Sequence, residues 1–289
     1  MGSKEQSLEG RRILLTGANT GIGRATALLL ARRGATLYLA GRSEERHRAV
    51  LDEVRAAGGV GSYLPLDLGE LSSVRDCAAR FLALDVPLHV LINNAGLAGS
   101  PGLTSDGFER TFGVNHLGHF LLTELLLGRL KSSAPSRIVN LSSTAHRSVR
   151  SIQWSALRRP GSLATAFQAY CVSKLCNLLH AKELARRLEG SGVTTYAVHP
   201  GVVASDIWRE LPWGVRQVFQ LFLQSNERGA ATSLYCATAA ELSLQTGLYY
   251  EASKPAASSA VSEDLALANE LRERSLAWVS QVAVSCPRP

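Results

Sequence analysis

The chain has 289 residues, enough for one large α/β domain, and its 46% hydrophobic and 19% charged residues are the balance of an ordinary globular core. No apolar run reaches the roughly 18 residues that a membrane-spanning helix needs, and the polar start MGSKEQSLEGRR lacks the apolar core of a signal peptide, so a soluble, intracellular, cytoplasmic product is expected. The net charge of +7 is spread as arginines along helical patterns without a Lys/Arg block, which disfavours a nucleic-acid partner and leaves room for an anionic cofactor.

Short β-branched or apolar runs alternate with longer helical ones. In chain order the pattern predicts a strand at 12–16, a helix at 21–33 and a strand at 36–40. A helix capped by Ser43 follows to about 57, then a strand at 62–66, a helix at 70–84 and a strand at 88–92. A long helix at 105–130, a strand at 137–141, a helix at 169–188 and a strand at 193–198 come next. A helix at 226–239, a short strand at 247–250, a surface loop at 253–262 and a helix near 263–279 complete the chain. Strands separated by helices of this length build βαβ units, hence a doubly wound parallel sheet of about seven strands with helices on both faces. No linker or solenoid repeat divides it, so residues 1–289 are expected to form a single domain. Two stretches break the rhythm. One is the polar connection 144–168. The other is the apolar segment 207–224, IWRELPWGVRQVFQLFLQ, which reads as a substrate lid, a core helix or an oligomer contact.

Four features carry chemistry. First, strand one runs into TGANTGIG (16–23), and a glycine-rich turn opening a helix aims free N–H groups and a positive dipole end at a pyrophosphate. The spacing G-x-x-x-G-x-G differs from the commoner G-x-G-x-x-G, and a ligand-free turn is the alternative. Second, strand two ends Ala40-Gly41-Arg42. A carboxylate there would grip the ribose 2′-hydroxyl of NAD; an arginine suits a 2′-phosphate and favours NADP(H). Third, Tyr170 and Lys174 in Y-C-V-S-K lie one helical turn apart on one face. A phenol beside an ammonium is a candidate general acid whose pKa the cation would lower. Fourth, the odd count of five cysteines, with no C-x-x-C, suits reduced thiols, and Cys171 and Cys176 suit core packing. His116 and His119 stand at i,i+3 with no carboxylate or Cys nearby to complete a metal set, so packing is expected of them and no metal site. No G-x-S-x-G elbow argues for a serine hydrolase. Met1-Gly2 is followed by Gln6, which fails the myristoylation pattern.

Taken together, TGANTGIG (16–23), Asn93-Asn94-Ala95-Gly96, Asn115, Ser143, Y-C-V-S-K (170–174) and His199-Pro200-Gly201 resemble the short-chain dehydrogenase/reductase family over about residues 10–250. NHLGHFLLT (115–123), RIVNLSS (137–143) and GVTTYAVHPG (192–201) are similar to its retinol dehydrogenase branch. The resemblance implies a Rossmann-type fold and an oxidoreductase acting on a lipophilic alcohol or its aldehyde or ketone, retinol and retinal first. Steroid ketones, other lipophilic carbonyls, a catalytically weak nucleotide-binding regulator and a dimeric scaffold are the alternatives. Tyr170 would be the acid/base, Lys174 its electrostatic partner and a ligand to the nicotinamide ribose. Ser143 would hydrogen-bond the substrate oxygen, and Asn115 would hold a water linking Lys174 to solvent. Gly17, Asn19, Thr20, Gly21, Ile22 and Gly23 would cradle the phosphates. Asp67 and Leu68 would meet the adenine, and Asn94, Ala95 and Gly96 the riboses. Pro200, Gly201, Val203 and Ser205 would lie beside the nicotinamide; Ser205 stands where the family usually has Thr, so the hydroxyl is kept. Members of the branch commonly start with a membrane-anchoring helix, which the first residues here do not resemble. Peripheral contact with a membrane through 207–224, and a homodimer through the helices at 169–188 and 226–239, complete the expectations.

Overall fold

The structure, a computed structural model, describes residues 7–201 and 225–284. The proposed lid at 207–224, together with Val203 and Ser205, therefore lies outside the described residues. The strands are β1 Arg12–Thr16, β2 Thr36–Gly41, β3 Val60–Pro65, β4 Val90–Asn93, β5 Ser136–Leu141, β6 Val193–His199, β7 Leu248–Glu251 and β8 Lys254–Pro255. They form one sheet in the order β3-β2-β1-β4-β5-β6-β7-β8, parallel throughout except for the antiparallel β8. The eighth strand is two residues long, a return of the chain after β7 within the stretch expected to be loop.

The helices are α1 Gly21–Ala31, α2 Glu44–Ala56, α3 Leu71–Ala83, α4 Gly118–Ser132, α5 Ala166–Arg187, α6 Asn226–Thr238 and α7 Leu265–Val284. Side-chain alternation along the strands sorts them onto two faces. On β1, Leu14 packs into the layer of α3, α4, α5 and α7 with Phe81, Phe112 and Phe120. Ile13 and Leu15 point into the opposite layer, with Leu30, Val54 and Leu234 of α1, α2 and α6. Ser43 caps α2 as expected, its Oγ accepting the Arg46 N–H at 3.3 Å. Cys77, Cys171, Cys176 and Cys236 are buried free thiols. α7 lies along α5, where Arg272 pairs with Glu183, and reaches the segment Gly113–Leu117, where Ser275 bonds His116, so a dimer through that face of α5 would have to displace α7. No helix among the described residues is long and apolar enough to cross a membrane.

One expected element differs. The run at 105–130 is not a single helix. Gly107 takes a left-handed φ of 78°, and Asp106 is spent accepting the Leu71 N–H that opens α3. The helical path starts only at Arg110–Phe112, widens into a π turn at Gly113–Leu117, and then becomes α4. A π turn inserts a residue into a 3.6-residue pattern, which periodicity alone reads as ordinary helix.

The first three strands run outward on one side of β1 and the chain then returns to place β4 on the other. That reversal leaves a crevice beyond the carboxyl ends of β1 and β4, the place where doubly wound sheets bind ligands. Close packing shapes it: a Cβ on Gly118 would stand 2.5 Å from the Leu68 carbonyl oxygen. Gly118→Val is therefore expected to cost about 2–3 kcal/mol of stability by overpacking, read as a lower urea midpoint at unchanged m-value.

Candidate active site

The crevice is lined by the turn after β1, the end of β2, residues 66–68 after β3, residues 94–98 after β4, and Tyr170, Lys174 and Pro200. Of the expected site residues, Gly17, Asn19, Thr20, Gly21, Ile22, Gly23, Arg42, Asp67, Leu68, Asn94, Ala95 and Gly96 line it as well. Ser143, nearly buried, and Asn115, fully buried, stand behind its wall, and Gly201 follows Pro200 at a φ of 86°. The structure thus gathers the described candidates from the carboxyl ends of six strands, from α5 and from the π turn at Gly113–Leu117 into one place.

The turn after β1 fits a dinucleotide. A Cβ on Gly23 would lie 2.1 Å from the Gly17 carbonyl oxygen, and one on Gly17, whose φ is 69°, 2.8 Å from the Ala95 Cα. Thr20 caps α1 without a side-chain hydrogen bond, and no acidic side chain stands in the first turn of the helix. Bare N–H groups at the positive end of a helix suit an anion. Asn94 braces the turn: its Nδ2 donates to the Thr16 carbonyl at 2.7 Å and to that of Gly17 at 3.2 Å. At the far end of the crevice Arg42 is exposed and Arg46, one helical turn on, joins it at the wall. Arg46 was not singled out in the sequence, although its i,i+4 spacing from Arg42 carries the signal. Asp67 Oδ1 accepts the Gly69 N–H at 2.8 Å, which fixes the β3–α3 turn.

At the other end, α5 is fastened to the end of β5. Ser142 Oγ donates to the Lys174 carbonyl at 2.7 Å, and Lys174 Nζ donates to the Leu141 carbonyl at 3.1 Å. The ammonium stands 5.6 Å from the centre of the Tyr170 ring. Tyr170 is hydrogen-bonded to the side chain of Ser143. Asn115, on the π turn, donates through Nδ2 to the Leu97 carbonyl at 2.9 Å and to Ser173 Oγ at 3.0 Å, while its Oδ1 accepts the Leu97 N–H at 2.8 Å. A Cβ on Gly96 would lie 3.4 Å from Asn115 Oδ1 and 3.5 Å from Lys174 Nζ, so both groups close in on the backbone there. His116 and His119 are packed in by bonds to Asn177, Ser275, Thr16 and the Asn115 carbonyl, and burial holds His116 at a pKa of about 3 and His119 at about 4. Among the described residues no cluster of three or more His, Cys, Asp or Glu could hold a metal.

The expected depression of the Tyr170 pKa relied on the ammonium together with the charge of a bound cofactor. In the free protein burial dominates and pushes the phenol up to about 12, against the opposing hydrogen bond of Ser143. Burial likewise brings Lys174 down to about 8. Taking either group out of water disfavours its charged form, and at this separation the ammonium does not reverse that cost for the phenol.

Lys174 supplies a test. Its folded pKa lies below its ordinary 10.5, so the folded state binds fewer protons than the unfolded one between pH 8 and 10.5, and stability rises with pH across that window. At pH 7 the full cost of burying the ammonium is present. Lys174→Met should raise the unfolding free energy at pH 7 by up to about 3 kcal/mol, and the gain should shrink as the pH climbs through the window. The Leu141 carbonyl would keep its second donor, Asn177 Nδ2 at 2.9 Å.

Comparison with known proteins agrees with this arrangement. The family model described as short chain dehydrogenase matches residues 11–157. Mouse (Mus musculus) retinol dehydrogenase 12 is 50% identical over 251 residues, which cover 84% of this chain and 78% of that protein. Human (Homo sapiens) retinol dehydrogenase 11 is 49% identical, covering 84% and 77%. Among solved structures, an uncharacterised protein from Mycobacterium Paratuberculosis superposes with a TM-score of 0.76 at 35% identity, covering 95% of each chain. The Pseudomonas aeruginosa RhlG/NADP active-site complex does so with 0.68 at 26%, covering 84% and 94%. On that family model and those relatives, the chain belongs to the short-chain dehydrogenase/reductase family, in its retinol dehydrogenase branch.

Proposed function

We propose that the protein is an NADP(H)-dependent oxidoreductase that interconverts a lipophilic alcohol and its carbonyl, with retinol and retinal the first candidates. The observation that carries the reading is one crevice with Arg42 at one end and Tyr170 and Lys174, backed by Ser143, at the other. Two arginines and no carboxylate meet at the end of β2, where a 2′-phosphate would pair with a guanidinium fork. A bound dinucleotide would supply the hydride and, in its oxidised form, a positive ring next to Tyr170.

The protein's own residues do the rest. Gly17, Asn19, Thr20, Gly21, Ile22 and Gly23 hold the pyrophosphate, and Asp67 and Leu68 border the adenine. Asn94, Ala95 and Gly96 would border the riboses, and Pro200 and Gly201 the nicotinamide, a role the resemblance also gives to Val203 and Ser205. Lys174 binds the neighbouring ribose. Ser143 Oγ donates a neutral hydrogen bond where negative charge develops on the substrate oxygen. Tyr170 passes the proton to that oxygen or takes it away. Asn115 holds the loop at Leu97 against α5 and, through a water, links Lys174 to solvent. The substrate class rests on the two relatives named as retinol dehydrogenases and on the apolar sequence of 207–224, a composition that would suit a lid and peripheral membrane contact.

A panel of all-trans-retinal, steroid ketones and long-chain aldehydes, each with NADPH and with NADH, tests the reading; reduction of none of them would leave a nucleotide-binding regulator as the better account. Tyr170→Phe is expected to lose turnover by about 10³-fold or more with NADPH affinity within a few-fold, by fluorescence titration. Arg42→Asp should move the NADPH/NADH preference in kcat/KM toward NADH by at least about tenfold; an unchanged ratio would assign the 2′-phosphate to other residues.

A further inference from the structure

His146 is fully buried in the short turn Thr144–Ser148, three residues after Ser143, outside the set of groups the reaction uses. Its ring is held at both nitrogens. Nδ1 lies 2.6 Å from the Ser143 carbonyl oxygen, and Nε2 lies 3.2 Å from the backbone nitrogen of Ser259, in the loop after β8. A backbone carbonyl can only accept and a backbone N–H can only donate. The two partners therefore fix one neutral tautomer, with the proton on Nδ1 and a lone pair on Nε2. The Ser143 carbonyl is caught twice, since the His146 N–H also donates to it at 3.1 Å. From the same residue, Ser143 Oγ accepts the Ala145 N–H at 3.2 Å and is bonded to Tyr170.

The geometry points to His146 as a positioning residue for the reaction: a single imidazole tie that sets the Ser143 hydroxyl against Tyr170 by anchoring its backbone to the loop at Ser259. The anchor is itself built in. Arg147 Nη2 donates to the Ala257 carbonyl at 3.0 Å and Lys182 Nζ to Ser258 Oγ at 2.8 Å, so the residues before Ser259 are fastened to the turn and to α5. The ring also packs edge-on against Tyr249 of β7, centroids 5.0 Å apart at 72°. The charged and titratable groups around it are Arg147, Lys182, Glu251, Tyr249 and His199, and burial holds the imidazole neutral by keeping its pKa below the ordinary value. A protonated ring would turn Nε2 from acceptor to donor and set it against the Ser259 N–H.

This role rests on the proposed carbonyl chemistry for its kinetic consequence, but its structural half can be read without turnover. In protein labelled with 15N-histidine at pH 7, the resonances that vanish in the His146→Asn and His146→Phe variants belong to this ring; they should report a protonated Nδ1 and a bare Nε2, and the opposite tautomer would overturn the tie. Kinetically, the amide nitrogen of Asn falls near the position of Nδ1 and can still donate to Ser143, whereas Phe keeps the ring and loses both bonds. With whichever carbonyl the wild type reduces, His146→Phe should lower kcat by about a hundredfold, the scale of a misplaced hydrogen-bonding group, with NADPH affinity unchanged within about threefold. His146→Asn should return to within about tenfold of wild type. If the Phe variant does not fold, His146→Gln, which reaches toward Ser259 but not Ser143, takes its place with the same expected loss. Equal kcat losses in the Asn variant and in the Phe or Gln variant, at comparable melting temperatures, would make the residue a packing element only and refute the role. A wild type that reduces no carbonyl would instead defeat the proposed function, and the tautomer measurement would still stand or fall on its own.

Discussion

A buried ammonium fastened to the end of a central strand is the constraint on which the site depends. Lys174 Nζ donates to the Leu141 carbonyl, Ser142 returns a bond to the Lys174 carbonyl, and Asn177, one turn further along α5, donates to Leu141 as well. These bonds set the height and rotation of α5 against β5. Because Tyr170 lies one turn before Lys174 on the same face, its hydroxyl is placed beside Ser143 at the end of that strand. The π turn then brings Asn115 to Ser173 from a third element. The arrangement stabilises little by itself, since burial without a carboxylate partner among the described residues brings the lysine's pKa down to about 8. The two hydrophobic layers on either side of the sheet supply the stability that offsets it.

In the proposed reaction, the same burial would keep Tyr170 dormant in the free protein. A phenol raised to about 12 is a poor acid and is almost never ionised near neutrality. Depression of that pKa has to come from positive charge brought closer than the lysine stands. An oxidised nicotinamide ring is such a charge, and a site this dry magnifies its effect, because Coulomb interactions strengthen as water is excluded. On the proposed function, proton exchange would thereby be coupled to occupancy of the crevice. The low-dielectric wall that raises the phenol's pKa in the free protein is also what lets one added charge lower it.

Much of this was legible in the residues. Hydrophobic period gave β1, α1, β2, α2 and β5 within a residue or two, because those elements are regular and each has a buried stripe. The glycine turn and the Y-x-x-x-K pair were readable because their chemistry lies within one short segment. What stayed hidden depends on distant partners. The π turn at Gly113–Leu117 hides inside a helical pattern, and β8 is too short to carry alternation. His119 bridging Thr16 and the Asn115 carbonyl, and His146 bridging Ser143 and Ser259, join residues far apart in the chain. The rise of the Tyr170 pKa in the free protein is hidden for a related reason: spacing shows which charge is near, but only the packed structure shows how much water is gone.

The central claim, that occupancy of the crevice turns a silent phenol into an acid/base, is most directly tested by an ultraviolet phenolate titration of the wild type minus Tyr170→Phe, with and without saturating NADP⁺. The account predicts that the difference signal of the free protein appears only as the pH nears 12 and moves several units toward neutrality when the dinucleotide binds. A phenol that titrates near 12 in both states, or one already ionising near neutrality in the free protein, would contradict it.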